Sequence, residues 1–201
     1  MDNPAIFVNQ NDLKQELMKT ICRTAVALIF LISPLVLTAQ ITATEPEYTN
    51  TIVYVHNNNE TALLERQTPL SKVVSSPSLL LVGVGKTKTI DFVKGEKSPI
   101  RIPKSDTLNF IVSVKDNNDN PVDIVGVLKL EIDKKKHNRF VEVIMTDQLK
   151  GPEINEASKV SFQSVKYQHH SYLVTIVNLG PGEYMFTLRD GRLAAQMFGI
   201  D

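Results

Sequence analysis

The chain has one cysteine in 201 residues, Cys22, and no tryptophan. Cys22 sits within the greasy N-terminal stretch, so residues 41–201 carry no thiol. That excludes disulfides, thiolate nucleophiles and cysteine-ligated zinc from this part of the chain. Such a body has to hold itself together through its core. Aromatic residues make up 6%. The lack of tryptophan disfavours a typical sugar-binding platform, with Tyr48, Tyr54, Tyr167 and Tyr172 as the rings left for one. There is no excess of charge of either sign, with 22 basic and 22 acidic side chains. Nothing therefore points to a nucleic-acid partner or a polybasic membrane surface. No apolar run reaches the roughly 20 residues of a membrane-spanning helix.

The longest apolar run, residues 25–39, reads Ala-Val-Ala-Leu-Ile-Phe-Leu-Ile-Ser-Pro-Leu-Val-Leu-Thr-Ala. Lys19 and Arg23 precede it, Pro34 interrupts it, and small and polar residues follow. A basic start, a short apolar centre and a small-residue exit are the pattern of a secretory signal peptide. We expect residues 18–40 to be that peptide, cleaved after Ala39 or Gln40. The product would be exported to the periplasm or the cell exterior, with no stable membrane span left. Residues 1–17 bear Asp2, Asp12 and Glu16, which suit such a leader badly. Met18 reads as the start, and residues 1–17 as a gene-model extension or an unusual leader.

Residues 41–201 read as one domain, and as strands almost throughout. Residues 51–56, 78–84, 89–93, 99–103, 107–114, 122–133, 139–144, 159–165, 171–177, 183–188 and 194–200 are rich in β-branched and aromatic residues. Most alternate apolar with polar, and turn residues separate them at the spacing of sandwiches and barrels. In residues 107–114, Leu108, Phe110, Val112 and Val114 share a face. Weak helical hints occur only near residues 61–66 and 155–158. Residues 41–50 and 66–78 read as loosely held.

The strongest local signal is Leu179-Gly180-Pro181-Gly182-Glu183-Tyr184. Pro181 presets φ for the first corner of a type II turn, and Gly182 supplies the positive φ of the second. Leu179, Pro181, Gly182 and Tyr184 together resemble the tyrosine corner of Greek-key sandwiches, where the phenol bonds back to backbone near the turn. Similar turns occur in secreted bacterial immunoglobulin-like and transthyretin-like modules. A wider layout runs through Gly95-Glu-Lys-Ser-Pro-Ile-Arg101, Asn120-Pro121, Arg139-Phe140, Pro-Gly-Glu-Tyr and the closing Phe198-Gly199-Ile200-Asp201. It resembles a group of uncharacterised secreted all-β proteins of Gram-negative bacteria, to which no activity is attached. The resemblance implies a single secreted β domain.

Several patterns invite a site and fail on inspection. Gly83-Val-Gly85-Lys86-Thr87 ends like a phosphate loop, but Leu80 stands where glycine is needed and the sequence after Lys86 reads as strand. Asp116-Asn-Asn-Asp-Asn120-Pro121 is not an EF-hand loop, because Pro121 replaces the glycine and Val127 the bidentate glutamate. Asn and Asp crowd turns for their own backbone bonds. Of the imidazoles at His56, His137, His169 and His170, the last two are adjacent and point apart on a strand. No Gly-x-Ser-x-Gly elbow marks a nucleophile. Carboxylates are scattered, and Glu183 reads as part of the turn. Lys134-Lys135-Lys136-His137 with Arg139 reads as a solvated hairpin tip. Asn59-Glu60-Thr61 matches a glycosylation sequon.

We expect an all-β, immunoglobulin-like Greek-key β-sandwich of roughly 8–11 strands after the signal peptide. The expected role is non-catalytic binding or structure, with a protein or glycan partner and no cofactor, metal or nucleotide. A carbohydrate-associated surface protein with ligand loops near 116–121 and 134–139 is the alternative. A hydrolase with dispersed carboxylates is a more distant one.

Overall fold

The structure is a computed structural model, and it describes residues 14–15, 18–19, 41–76, 85–147, 151–189 and 194–201. The expected strand at 78–84 lies outside the described residues. The chain divides into two compact units, residues 1–40 and 41–201. The second unit is built of antiparallel β-structure with almost no helix.

Five strands form the first sheet, in the order β11 (Gln163–Tyr167), β12 (Ser171–Val177), β7 (Thr107–Ser113), β1 (Ile52–Val55) and β2 (Thr61–Leu63). The second sheet runs β3 (Glu65–Gln67), β14 (Ala195–Ile200), β13 (Gly182–Leu188), β8 (Val125–Asp133), β9 (Asn138–Asp147), β5 (Lys86–Lys94) and β4 (Leu70–Ser75). β10 (Gly151–Ile154) adds to β9, and the two-residue β6 (Arg101–Ile102) adds in parallel to β14.

Alternation along the strands divides the apolar residues between three clusters. The first lies between the sheets. Phe110 and Tyr172 enter it from one side, and Val127, Tyr184, Phe186 and Phe198 from the other. The rings of Phe110 and Phe186 meet edge-on at 4.9 Å, and those of Tyr184 and Phe198 stack at 5.4 Å. Fully burying each such ring stabilises by about 1.5–3 kcal/mol. The buried amide of Gln196 ties the sheets together, accepting from Ile52 N at 2.8 Å and donating to Asn50 O at 2.9 Å.

The second cluster uses the opposite face of the second sheet, with Val93, Leu130, Val141, Met185, Ala195 and Met197. β3 and β4, the two ends of this sheet, are successive pieces of one run of chain. The sheet therefore curls until β3 comes back beside β5, and the second cluster fills the curl. The Gln67 side chain closes the seam, donating to Lys94 O at 3.1 Å and accepting from Lys94 N at 3.2 Å. The third cluster, Ala43 with Val53, Val55 and Ile111, coats the far side of the first sheet. There Tyr167 Oη and Gln168 Nε2 both donate to Ala43 O.

Several local expectations change. Residues 41–50 are not loose near Ala43, because burial and these two bonds fix the backbone there. Residues 65–67 and 70–75 are strands, and the helical hint at 61–66 is strand too. Residues 121–124 form one helical turn before β8, since Asn120 caps Val122 N and Pro121 suits the first helical position. The helical hint at 155–158 is met by a 3-10 turn over residues 156–158 capped by Asn155, and the strand expected from 159 starts only at Gln163.

Candidate functional site

Two features stand out on the second sheet: a buried ion cluster at one end of the curl and an apolar cleft where β8 and β9 part.

The ion cluster forms because alternation places Arg139, Glu183 and Glu65 on the inward face of their strands. Arg139 is wholly buried. Its guanidinium reaches both Glu65 oxygens at 2.9 Å and Glu183 Oε2 at 3.4 Å. Nε donates to Gly95 O at 3.0 Å, and Nη2 donates also to Lys94 O at 3.2 Å. Glu183, 3% exposed, further accepts from Ser98 N at 2.7 Å and pairs with Arg101, which reaches on to Asp201 at 2.7 Å. Gly199 makes room for Arg101, because a Cβ there would lie 1.6 Å from Arg101 Nη1. Burial alone would raise the Glu65 carboxyl. The hydrogen bonds from Arg139, Ser98 and Gln67, with the Arg139 charge, hold it below the usual range.

This corrects two expectations. Arg139 is not part of a solvated tip, and Glu183 is not merely a turn residue. The sequence signal was available: Arg139 opens an alternation with Val141 and Val143, two positions and four positions on. Gly95, Ser98, Arg101, Arg139, Glu183, Gly199 and Asp201 of that layout converge on this one cluster, whereas Asn120 and Pro121 open the helical turn before β8.

The cleft has a different origin. β8 and β9 pair only from Glu131↔Phe140 to Asp133↔Asn138. Beyond that they diverge, β8 following β13 while β9 follows β5 and β10. Residues 155–160 bridge the fork, with Asn155 N donating to Val143 O and Val160 N to Val127 O. They leave a cleft of about 490 Å³ whose walls include Leu128, Val141, Val143, Val160, Phe162 and Leu188. Four charged groups stand on its lining: Lys159 pairs with Glu156 at 2.7 Å and Glu142 with Lys88 at 2.8 Å, while Asp123 lies in the helical turn and Arg189 just after β13. What the cleft offers a ligand is mainly apolar contact, with Asp123 and Arg189 as polar groups on its lining.

The sequence-singled residues fall elsewhere. In the turn, Leu179 is buried, Pro181 is exposed, and Tyr184 Oη donates to Gly180 O at 2.7 Å. Burial raises the Tyr184 phenol. Gly182 has φ +153, so it is the first residue of β13 rather than the second corner of a type II turn. Asp116 Oδ1 accepts from Asn118 N, and Asp119 O from Tyr172 Oη. No group of three or more metal-ligating side chains occurs among the described residues. Lys86 opens β5, so strand rather than helix follows it. His169 and His170 occupy a turn, their backbone N–H groups directed at Glu45, and His137 meets Glu96. Asn59 Oδ1 accepts from Thr42 N. Tyr54 and Tyr172 are buried and the Tyr167 hydroxyl is bonded, which leaves Tyr48 as the one openly exposed ring of the four.

No model of a known protein family matches the chain, and no curated protein matches it.

Proposed function

We propose that the chain is an exported, non-catalytic binding module of the immunoglobulin-like Greek-key class, with its ligand seated in the cleft between β8 and β9. The strand order supports the class. Taken in chain order, β1, β7, β8, β11, β12, β13 and β14 stand as strands A to G of that fold. β1, β7, β12 and β11 then make one sheet and β8, β13 and β14 the core of the other. Tyr184, near the start of the sixth of these, bonds four residues upstream, as a tyrosine corner does. The apolar run at 25–39, with its basic approach, supports export.

One observation carries the binding reading. The most buried charges are consumed in the internal cluster around Arg139, while the large concavity is walled mainly by apolar side chains. Sites of this size and lining take apolar or amphipathic ligands. With the ring faces of Tyr54 and Tyr172 buried, an apolar ligand fits better than a sugar.

The test is titration of the full chain with N-phenyl-1-naphthylamine, whose emission rises in an apolar site. Saturable emission that is lost in Phe162→Arg, with circular dichroism unchanged, is the expected result. Non-saturating emission, or saturable emission that Phe162→Arg leaves intact, overturns the cleft as the ligand site.

A further inference from the structure

Among the described residues, β4 lies at an open edge of the second sheet. Among the described residues it pairs only with β5, from Leu70↔Phe92 to Ser75↔Thr87, and each of its six residues is exposed. Ser76 N donates to Lys86 O at 3.0 Å. Hydrogen-bonded pairs alternate along an antiparallel ladder, so Val74, Lys72 and Leu70 turn their backbone groups toward β5. The N–H and C=O groups of Ser71, Val73 and Ser75 therefore face away from the sheet. Edges of this kind are usually blunted or covered. Here Val73 is 66% exposed and Leu70 52%.

Beside the edge, on the Lys72 and Val74 face, lies a depression of about 260 Å³ lined by Val74, Ile90, Phe92, Asn138 and Phe140. Asn138 Oδ1 is buried there without a hydrogen-bond partner. The neighbouring cations are neutralised, Lys136 by Asp133 at 2.9 Å and Lys88 by Glu142 at 2.8 Å. Lys72 has no ion-pair partner among the described residues. Among the described residues, the surface thus offers a row of free backbone groups, an apolar seat and one uncompensated positive charge.

We propose that β4 receives an extended segment of another protein as an added strand, with an acidic residue set opposite Lys72 and an apolar residue opposite Val74. Main-chain bonds to Ser71, Val73 and Ser75 supply the attachment, and the side chains on the Lys72 face supply the choice. Charge decides against a second copy of this chain as the occupant. Antiparallel self-pairing about Val73 would place two Lys72 side chains diagonally, about 7–8 Å apart on one face.

The experiment is fluorescence anisotropy of the full chain with a labelled, end-blocked peptide, Ser-Val-Thr-Glu-Thr-Val-Ser. A second peptide carries lysine in place of glutamate. The glutamate peptide should bind at least about threefold more tightly, the scale of one cross-strand charge pair. Lys72→Glu should reverse the order. Val73→Pro removes an outward N–H and no bond to β5, so it should abolish binding while thermal unfolding stays in place. Equal affinity for the two peptides, an order that Lys72→Glu fails to reverse, or no binding at all would overturn the proposal. So would concentration-dependent dimerisation that protects the Ser71, Val73 and Ser75 amides from exchange, since the occupant would then be a second copy. None of these outcomes depends on the cleft between β8 and β9.

Discussion

Arg139 grips Glu65 by both carboxylate oxygens, each at 2.9 Å, from the opposite side of the curled sheet. Glu65 belongs to β3 and Arg139 to β9, strands that are not neighbours in the sheet. The pair therefore acts where backbone pairing does not, drawing the edge strand β3 toward β9 across the curl. Gly95 O and Lys94 O, which Arg139 also binds, mark the same seam.

Removing the guanidinium should expose what this arrangement is worth. Arg139→Met keeps length and loses charge, leaving Glu65 and Glu183 buried without their shared cation. Breaking a buried pair from one side costs about 3–5 kcal/mol. Urea unfolding should show a loss of that order. Arg139→Lys should recover only part of it, because an ammonium cannot reproduce the forked contact with Glu65. A change in stability below about 1 kcal/mol in Arg139→Met would contradict the assigned role.

The same cluster sets an acid limit. Glu65 titrates below an ordinary carboxyl when folded. A depressed folded value gives stability that is present above the unfolded value, about 4.3 for Glu, and is lost as pH falls through the folded value. The thermal midpoint should hold from pH 7 down to about 5 and fall at lower pH. Glu65→Gln should start lower at pH 7 and decline less steeply in acid. An acid limb as steep in Glu65→Gln as in the parent would assign the loss to other carboxylates.

How far the sequence could be read follows from this geometry. Strand positions were legible where alternation is regular, as in Leu108, Phe110 and Val112, because period two and a half-buried strand are one fact. The curl was not legible. It depends on β3 and β4 being one run that pairs with β14 at one end and β5 at the other, and local pattern carries no record of such pairing. Arg139 was misplaced because it follows three lysines and a histidine, and composition outweighed the alternation it begins. The cleft was invisible for a further reason. Val143, Val160 and Phe162 look like ordinary strand residues, and only the parting of β8 from β9 leaves them lining a space.

The corner before β13 separates two effects that the sequence merged. Tyr184→Phe removes the donor to Gly180 O, a loss of about 1 kcal/mol. Gly182→Ala forces a side chain onto φ +153, with its Cβ 3.1 Å from Lys129 Cε and 3.4 Å from Tyr184 Oη. Strain at such a backbone angle costs about 1–3 kcal/mol. Gly182→Ala should therefore be the more damaging of the two in thermal unfolding. Equal effects would mean that the glycine serves only to position the phenol.

The proposed export makes a prediction that location and mass together decide. The compact unit begins at Ile41, directly after the apolar run and its small-residue exit at Ala39. Expressed in a Gram-negative host with its N-terminal region intact, the chain should be recovered outside the cytoplasm with a mass that starts at Gln40 or Ile41. Leu31→Arg places a charge in the centre of the apolar run, where a signal peptide tolerates none. That variant should accumulate in the cytosol at the mass of the unprocessed chain. A parent protein found in the cytosol and starting at Met1 or Met18 would remove the leader reading, and with it the expectation of a periplasmic or extracellular partner.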